Sequence, residues 1–235
     1  MTEQHVTRLA PSPTGALHLG NARTFIVNWA MARQRGWRIV LRIEDLDGPR
    51  IKARADRQAI DILRWLGLDW DRGPTWQRSD LTPYRAALHR LADAGLIYPC
   101  TCTRKEIEAA QSAPHDDDHE LRYPGTCRPP VQRAGSTKRQ PGDGQTAWRL
   151  IVPDETLTFD DRFAGPQAFN VQQMVGDFVV STKSALPAYQ LAVVVDDAAQ
   201  GVTQVVRGDD LLGSAPRQLL LYRMLGLAPV PQYTH

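Results

Sequence analysis

Between Val6 and Gly67 the chain alternates twice between a strand-like and a helix-like hydrophobic pattern. That alternation restricts the fold more than any other feature. Val6 to Ala10 reads as a short strand closed by the turn-rich Pro11-Ser12-Pro13-Thr14-Gly15, and a helix is predicted from about Asn21 to Gln34, capped by Gly36. Trp37 to Ile43 reads as a second strand, ending in the acidic turn Glu44-Asp45-Leu46-Asp47-Gly48-Pro49. A second helix over about Arg54 to Leu66 carries Ile60, Leu63 and Leu66 at helical spacing. Strand, helix, strand, helix in this order is the signature of a parallel α/β sheet. A third helix, Pro83 to Ala94, opens on a proline suited to a first turn and stops at Gly95.

The pattern breaks between Tyr98 and Arg149, a stretch that holds all three cysteines, the acidic run Asp116-Asp117-Asp118 and a loop rich in Pro, Gly, Gln and Arg. Thr103 with Glu106 forms a capping box for one short helix, and AWRLIV and LTFDDRF have the look of antiparallel strands. We read an inserted domain here, with residues 112–120 and 129–146 expected to be mobile. The α/β pattern then resumes. PAYQLAVVV, from Pro187 to Val195, fits a strand by composition or a buried helix, and periodicity does not decide. Val202 to Val206 is a predicted strand, and Ser214 a predicted cap for a helix running to Leu225.

Composition narrows the class. At 235 residues, 42% hydrophobic and 23% charged, the chain can bury a sizeable core. No run of about eighteen apolar residues is present, so a helical membrane span is not expected, and MTEQHVTRLA lacks the features of a secretory signal. Three cysteines argue against a disulfide framework and for the cytoplasm. A net charge of +2 is too small to indicate a nucleic-acid partner by itself. Only four of the 28 basic residues are lysine, Lys52, Lys105, Lys138 and Lys183.

The turn from Arg8 to Asn21 is the place to look for chemistry, because ligands of open parallel sheets bind at the carboxyl ends of strands. It contains neither a dinucleotide fingerprint nor a P-loop. It does offer Gly20 at a helix start, where free N–H groups attract anions, and His18, able to donate hydrogen bonds as charge develops on phosphate. A plain strand-to-helix turn with a surface histidine fits the spacing equally well. Cys100-x-Cys102 with Cys127 supplies three of the four ligands a structural zinc needs. His115, Asp118 and His119 are available as a fourth, and three small buried hydrophobes are the alternative.

Four strings give a more specific reading. His18-Leu19-Gly20-Asn21 resembles the "HIGH" signature of class I aminoacyl-tRNA synthetases. The longer Arg8-Leu9-Ala10-Pro11-Ser12-Pro13-Thr14-Gly15-Ala16-Leu17-His18-Leu19-Gly20 is similar to that of the glutamyl/glutaminyl branch. Arg42-Ile43-Glu44-Asp45-Leu46-Asp47, Ala188-Tyr189-Gln190-Leu191-Ala192-Val193-Val194-Val195-Asp196-Asp197 and Val206-Arg207-Gly208-Asp209-Asp210-Leu211 match further strings of that branch in the same order. The resemblance implies a Rossmann-type parallel sheet with an inserted small α+β zinc-containing domain. Its parts are 1–97 and 187–235 as the two halves of the nucleotide-binding domain and 98–186 as the insertion.

It implies an ATP-dependent ligase that makes glutamyl-adenylate, with Mg2+ accompanying ATP. Arg8, Ser12, Glu44, Tyr189 and Arg207 would bind L-glutamate, with Ala10 contributing its main chain and Glu44 meeting the ammonium. Two arginines suit a carboxylate, since each guanidinium donates two parallel hydrogen bonds. Thr14, His18, Gly20 and Asn21 would contact ATP, with His18 and Gly20 as the catalytic pair. For the metal, the resemblance points to Tyr123, giving Cys100, Cys102, Tyr123 and Cys127; Cys127-Arg128-Pro129 lacks the Cys-x-His ending of some full-length glutamyl enzymes.

Nothing in the chain resembles the helical domain that reads an anticodon, and the strings from Ala188 and Val206 resemble those of the shorter paralogues in the branch. Those pass glutamate to queuosine at the wobble position of tRNA(Asp). Arg104, Arg122, Arg128, Arg133 and Arg139 of the insertion are then candidate phosphate contacts. No membrane and no obligate protein partner are expected. Two rivals stay open: the catalytic part of a tRNA-charging glutamyl enzyme, and a non-catalytic glutamate- or tRNA-binding paralogue. In the family a second signature, K-M-S-K-S or a variant such as K-L-S-K, lies shortly beyond the segment matching Tyr233-Thr234-His235. No lysine follows Lys183, so the second half is expected to be C-terminally incomplete.

Overall fold

The computed structural model describes residues 4–15, 17–110, 121–130, 141, 144 and 146–235. The loops expected to be mobile fall largely outside these residues, as do His115, Asp118, His119, Arg133 and Arg139. Strand β1 (Val6–Leu9) leads into α1 (Leu19–Arg35), which stops where Gly36 takes a left-handed φ of 68° and its N–H reaches back to the carbonyls of Ala32 and Arg33. Strand β2 (Arg38–Ile43) lies parallel to β1, with Val6 opposite Arg38 and Leu9 opposite Leu41. Helix α2 (Ala55–Trp65) buries Ala59, Ile60 and Leu63, three residues on one face.

Strand β3 (Arg72–Trp76) then adds parallel to β2. Its sequence, RGPTW, has no alternating pattern, and Gly73 is required by geometry: at φ +96° a side chain there would collide with the Leu41 carbonyl. Leu9, Ile39, Leu41, Ile43, Ile60 and Leu63 form the core between these strands and helices. Helix α3 (Thr82–Asp93) turns Tyr84, Leu88 and Leu91 inward.

The insertion is antiparallel. Strands β4 (Ile97–Cys100), β5 (Ala147–Leu150) and β8 (Val179–Ser181) make one sheet in the order β4-β5-β8, and β6 (Thr156–Asp161) pairs with β7 (Gly165–Asn170) as a hairpin. Helix α4 (Arg104–Ala109) starts at the expected capping box: the Glu106 N–H donates to Thr103 Oγ1 and the Thr103 N–H to Glu106 Oε2 at 2.6 Å. A short turn of helix, α5 (Val171–Met174), follows β7.

The ambiguous PAYQLAVVV segment is helical. Helix α6 (Tyr189–Gln200) buries Leu191, Ala192, Val193, Val194 and Val195 together, so a residue set that resembles a strand is a helix enclosed on most sides. Strand β9 (Gln204–Val206) follows, then α7 (Ser214–Leu225) and β10 (Gln232–Thr234), which is parallel to β9. Ser214 is not the cap of α7. Gly213 occupies that position, and Ser214 Oγ instead accepts from Gln190 Nε2 at 3.0 Å, joining α7 to α6. Strand β9 is fastened beside β1 by the Thr203 N–H to the Val6 carbonyl (2.9 Å). The carboxyl ends of β1, β2 and β9 therefore meet, at the point where the chain's two α/β parts adjoin.

Candidate active site and thiol cluster

A cavity of about 990 Å3 opens at those strand ends. Of the ten residues that the resemblance assigns to glutamate and ATP, all ten line it: Arg8, Ala10, Ser12, Thr14, His18, Gly20, Asn21, Glu44, Tyr189 and Arg207. Two loops make its floor. The Glu44 N–H donates to the Pro11 carbonyl (3.0 Å) and Ser12 Oγ donates to the Glu44 carbonyl (3.0 Å), so the turns after β1 and β2 are locked to each other. Asn28 of α1 donates from Nδ2 to the Arg8 carbonyl (2.8 Å) and accepts from Thr7 Oγ1 (2.9 Å), which fixes β1 against the helix that follows it.

His18 is the residue just before α1, and Asn21 Oδ1 accepts from its backbone N–H. Gly20 faces the His18 imidazole so closely that a Cβ would lie 3.0 Å from Cε1. Both are exposed and line the cavity at the start of α1, the end of a helix that attracts anions.

Behind the cavity wall lies a buried charge network, joined to it through Glu44 and Gln77. Arg42, 1% exposed, donates to Asp197 Oδ1 (2.7 Å), Gln200 Oε1 (2.9 Å) and Glu44 Oε1 (3.0 Å), and lies 3.7 Å from Asp196. Burial works against its charge, yet Asp197, Glu44 and Asp196 together hold its pKa above the ordinary value. Asp196 also accepts from Gln77 (2.6 Å) and Tyr84 (2.8 Å). Burial raises the Glu44 carboxyl above its usual range, opposed by Arg42 and Arg8.

Arg8 and Arg207 are differently placed. Arg8 has Asp197 at 3.6 Å and its Nε has no hydrogen-bond partner among the described residues. Arg207, 6% exposed, donates from Nη1 to Gln218 Oε1 (3.0 Å) and from Nε to His235 Nε2 (2.8 Å), and its buried Nη2 has no partner among the described residues. No carboxylate lies within 4 Å of Arg207 among them. A buried guanidinium without a counter-charge is costly unless something anionic joins it. The site thus presents spare cationic donors on one side and a carboxylate, Glu44, on another.

Sequence reasoning missed the residues that hold this arrangement. Arg42, Asp196 and Asp197 lay inside recognised strings without an assigned role, although a charge between Leu41 and Ile43 and two after three valines signal buried pairing. Gln218, His235 and Asp161 gave no signal.

The cysteines converge as well. The Sγ atoms of Cys100, Cys102 and Cys127 all lie within 4.8 Å of one another, with Cys102 and Cys127 at 3.4 Å. Tyr123 joins them: its Oη is 3.5 Å from Cys100 Sγ and 3.7 Å from Cys102 Sγ, and it accepts from the Cys127 N–H at 2.8 Å. Tetrahedral zinc with ordinary bond lengths spaces its sulfur ligands about 3.8 Å apart, so the set has the size of a metal site and could hold an ion. Arg149 stacks over the Tyr123 ring at 3.7 Å and donates from Nε to Cys100 Sγ (3.3 Å), so a guanidinium closes one side of the cluster. Although burial opposes it, hydrogen bonds from the Thr101 backbone and from Tyr123 lower the Cys127 thiol to about 7, while burial and Cys127 push Cys102 up to about 11. Close approach shapes the cradle too: at Gly176, φ +69°, a side chain would collide with the Tyr123 carbonyl.

Of the candidate phosphate contacts, Arg128 is engaged internally, donating to Asp177 and to the Val152 carbonyl at 3.2 Å each. Arg104 pairs with Glu108 at an exposed position and Arg122 with Gln172.

The family described as tRNA synthetases class I (E and Q), catalytic domain, matches residues 4–235. A glutamyl-Q tRNA(Asp) synthetase of Symbiobacterium thermophilum is 50% identical, with 97% of this chain and 72% of that protein covered. One from Nitratidesulfovibrio vulgaris is 47% identical at the same coverage. A solved glutamate tRNA ligase of Elizabethkingia meningosepticum, in complex with its amino acid, superposes with a TM-score of 0.79 at 25% identity, over 99% of this chain and 49% of that one. The chain spans about half the length of that ligase and about seven-tenths of the curated relatives. With the family matched along nearly all of its length, the chain belongs to the class I tRNA synthetases of the E and Q branch, among the glutamyl-Q tRNA(Asp) synthetases.

Proposed function

We propose that the chain activates L-glutamate with ATP, releasing pyrophosphate, and passes the glutamyl group to queuosine at the wobble position of tRNA(Asp). The observation that carries the glutamate reading is Arg207, buried at the cavity with, among the described residues, no carboxylate partner and a spare donor. Arg8 and Arg207 would take the side-chain carboxylate, Glu44 the ammonium, and Ser12, Tyr189 and the Ala10 main chain would complete the polar shell. Glutamine would leave the two arginines without a compensating charge, which disfavours it.

ATP would lie toward the α1 end of the cavity, against Thr14, His18, Gly20 and Asn21. His18 then faces the phosphates and stabilises charge growing there; it has no need to act as a base, because the substrate carboxylate is itself the nucleophile. Mg2+ bound with ATP neutralises phosphate charge.

The thiol cluster reads as a structural zinc site held by Cys100, Cys102, Tyr123 and Cys127. Zinc would cross-link β4, the segment containing Tyr123 and the Cys127 loop. The division into 1–97, 98–186 and 187–235 follows the same reading, with the insertion facing an anticodon stem-loop and exposed Arg104 and Arg122 as phosphate contacts. A cytoplasmic location suits three free cysteines.

The test is acceptor choice. With labelled glutamate and ATP, label is expected on queuosine-containing tRNA(Asp) and not on the same tRNA without queuosine. Charging of tRNA(Glu) with no transfer to queuosine would overturn the proposal.

A further inference from the structure

A histidine outside the cavity-lining set governs one of the two arginines assigned to glutamate. His235 follows β10, and its side chain is fully buried, as is that of Asp161 at the end of β6. The imidazole Nδ1 lies 2.6 Å from Asp161 Oδ2, and Nε2 lies 2.8 Å from Arg207 Nε. An arginine Nε–H can only donate, so Nε2 must carry a lone pair and the proton must sit on Nδ1, directed at the carboxylate. The ring is further held by stacking on Tyr233, at 5.8 Å and 12° between planes.

The other Asp161 oxygen is fully engaged. Oδ1 accepts from the N–H groups of Phe163 (3.0 Å), Ala164 (2.8 Å) and His235 (3.2 Å). The carboxylate therefore cannot rotate, and Oδ2 is committed to the histidine. Arg207 is in turn pinned at two points, His235 on Nε and Gln218 on Nη1, leaving Nη2 as the spare donor.

From this geometry we infer that Asp161 and His235 are positioning residues for glutamate recognition: the carboxylate selects the His235 tautomer that accepts from Arg207, and so aims Arg207 into the cavity. The inference rests on the glutamate reading of that cavity. It also ties the pocket to the inserted β6–β7 hairpin, which contributes no residue to the wall named above.

Asp161→Asn tests it with a change of one atom. Oδ1 stays on its three N–H partners, so the new amide N–H2 faces Nδ1. That forces the imidazole proton onto Nε2, against the Arg207 Nε–H. His235→Gln is the conservative control, since its side-chain oxygen can accept from Arg207 without any tautomer to select. His235→Phe keeps the ring and removes the acceptor.

Calorimetric titration of the full chain with glutamate, and separately with ATP, reads the outcome. Asp161→Asn and His235→Phe are expected to weaken glutamate binding about tenfold, the size of a lost hydrogen bond to a charged group, with ATP affinity unchanged. His235→Gln is expected to stay near wild type. A loss equal for both ligands, or glutamate binding unaltered in Asp161→Asn, would overturn the positioning role. If wild-type protein binds no glutamate, the reading of the cavity itself falls. Should His235→Phe fail to fold, Asp161→Asn and His235→Gln still decide.

Discussion

Gly20 leaves room for the His18 ring: a Cβ built at Gly20 would stand 3.0 Å from His18 Cε1 and 3.1 Å from Nδ1. Such contacts force the imidazole to move. Gly20→Ala is therefore expected to act through His18 and to slow glutamate-dependent ATP–pyrophosphate exchange about 10²-fold, with His18→Ala slowing it by a similar or larger factor. Glutamate affinity should barely change in either. Exchange at the wild-type rate in both variants would remove His18 from the chemistry.

The Arg42–Asp197 pair is a structural requirement of the pocket. Both side chains are at most 2% exposed, 2.7 Å apart, and Asp197 also faces Arg8 at 3.6 Å. Asp197→Ala leaves buried positive charge undercompensated and is expected to cost about 3 kcal/mol in urea unfolding at neutral pH. A cost below about 1 kcal/mol, the value of an exposed pair, would mean the network is better solvated than its burial indicates.

Glu44 is expected to set an acid limit on glutamate binding. Burial raises its carboxyl, with Arg42 and Arg8 opposing, so it takes up a proton above the ordinary glutamate pKa of about 4.3. Only the charged form attracts an ammonium. Glutamate affinity should consequently decline on acidification from a point above that value, and Glu44→Gln should bind weakly with that component of the decline missing. The fold moves the other way. A carboxyl with a raised folded-state pKa holds its proton more tightly folded than unfolded, so protonating Glu44 adds stability as pH falls. A pH profile identical in Glu44→Gln and wild type would refute the assignment.

Metal content is a direct readout of the thiol cluster. Protein purified without chelator is expected to carry about one zinc per chain, and Cys127→Ser or Cys100→Ser to lose it. Tyr123→Phe removes the oxygen 3.5 Å from Cys100 Sγ while keeping the ring under Arg149. It should retain metal but surrender it to a chelator about tenfold more readily. Zinc absent from the wild-type protein would end the metal reading.

How far the sequence reached depended on whether a signal was local. The second and third helices were legible because their apolar residues repeat at helical spacing, as Ile60 and Leu63 do in α2, and the first two strands as short apolar runs bounded by turn residues. Strand β3 was not, since RGPTW owes its place to pairing with β2 and not to any pattern of its own. The turn residues Arg8 to Asn21 stood out because the strings are contiguous. The link from Asp161 to His235 spans 74 residues and joins two elements with no shared motif. Tyr123 lay between: its place beside the thiols followed from resemblance, and only packing supplied Arg149 over its ring.

The docking of β9 beside β1 has a consequence for how the protein is made. The Val6 N–H finds its partner in Thr203, 197 residues along the chain, and Arg8 and Arg207 are separated slightly more widely. Contacts of such long range form late, because the loop-closure entropy has to be met before they return anything. A chain emerging from the ribosome can complete β1, α1 and β2 early, yet the cavity lacks Arg207 until the segment after β9 arrives. Any ligand that binds only the closed cavity would add its binding free energy to the folded state, so its binding would favour chains in which β9 has docked beside β1.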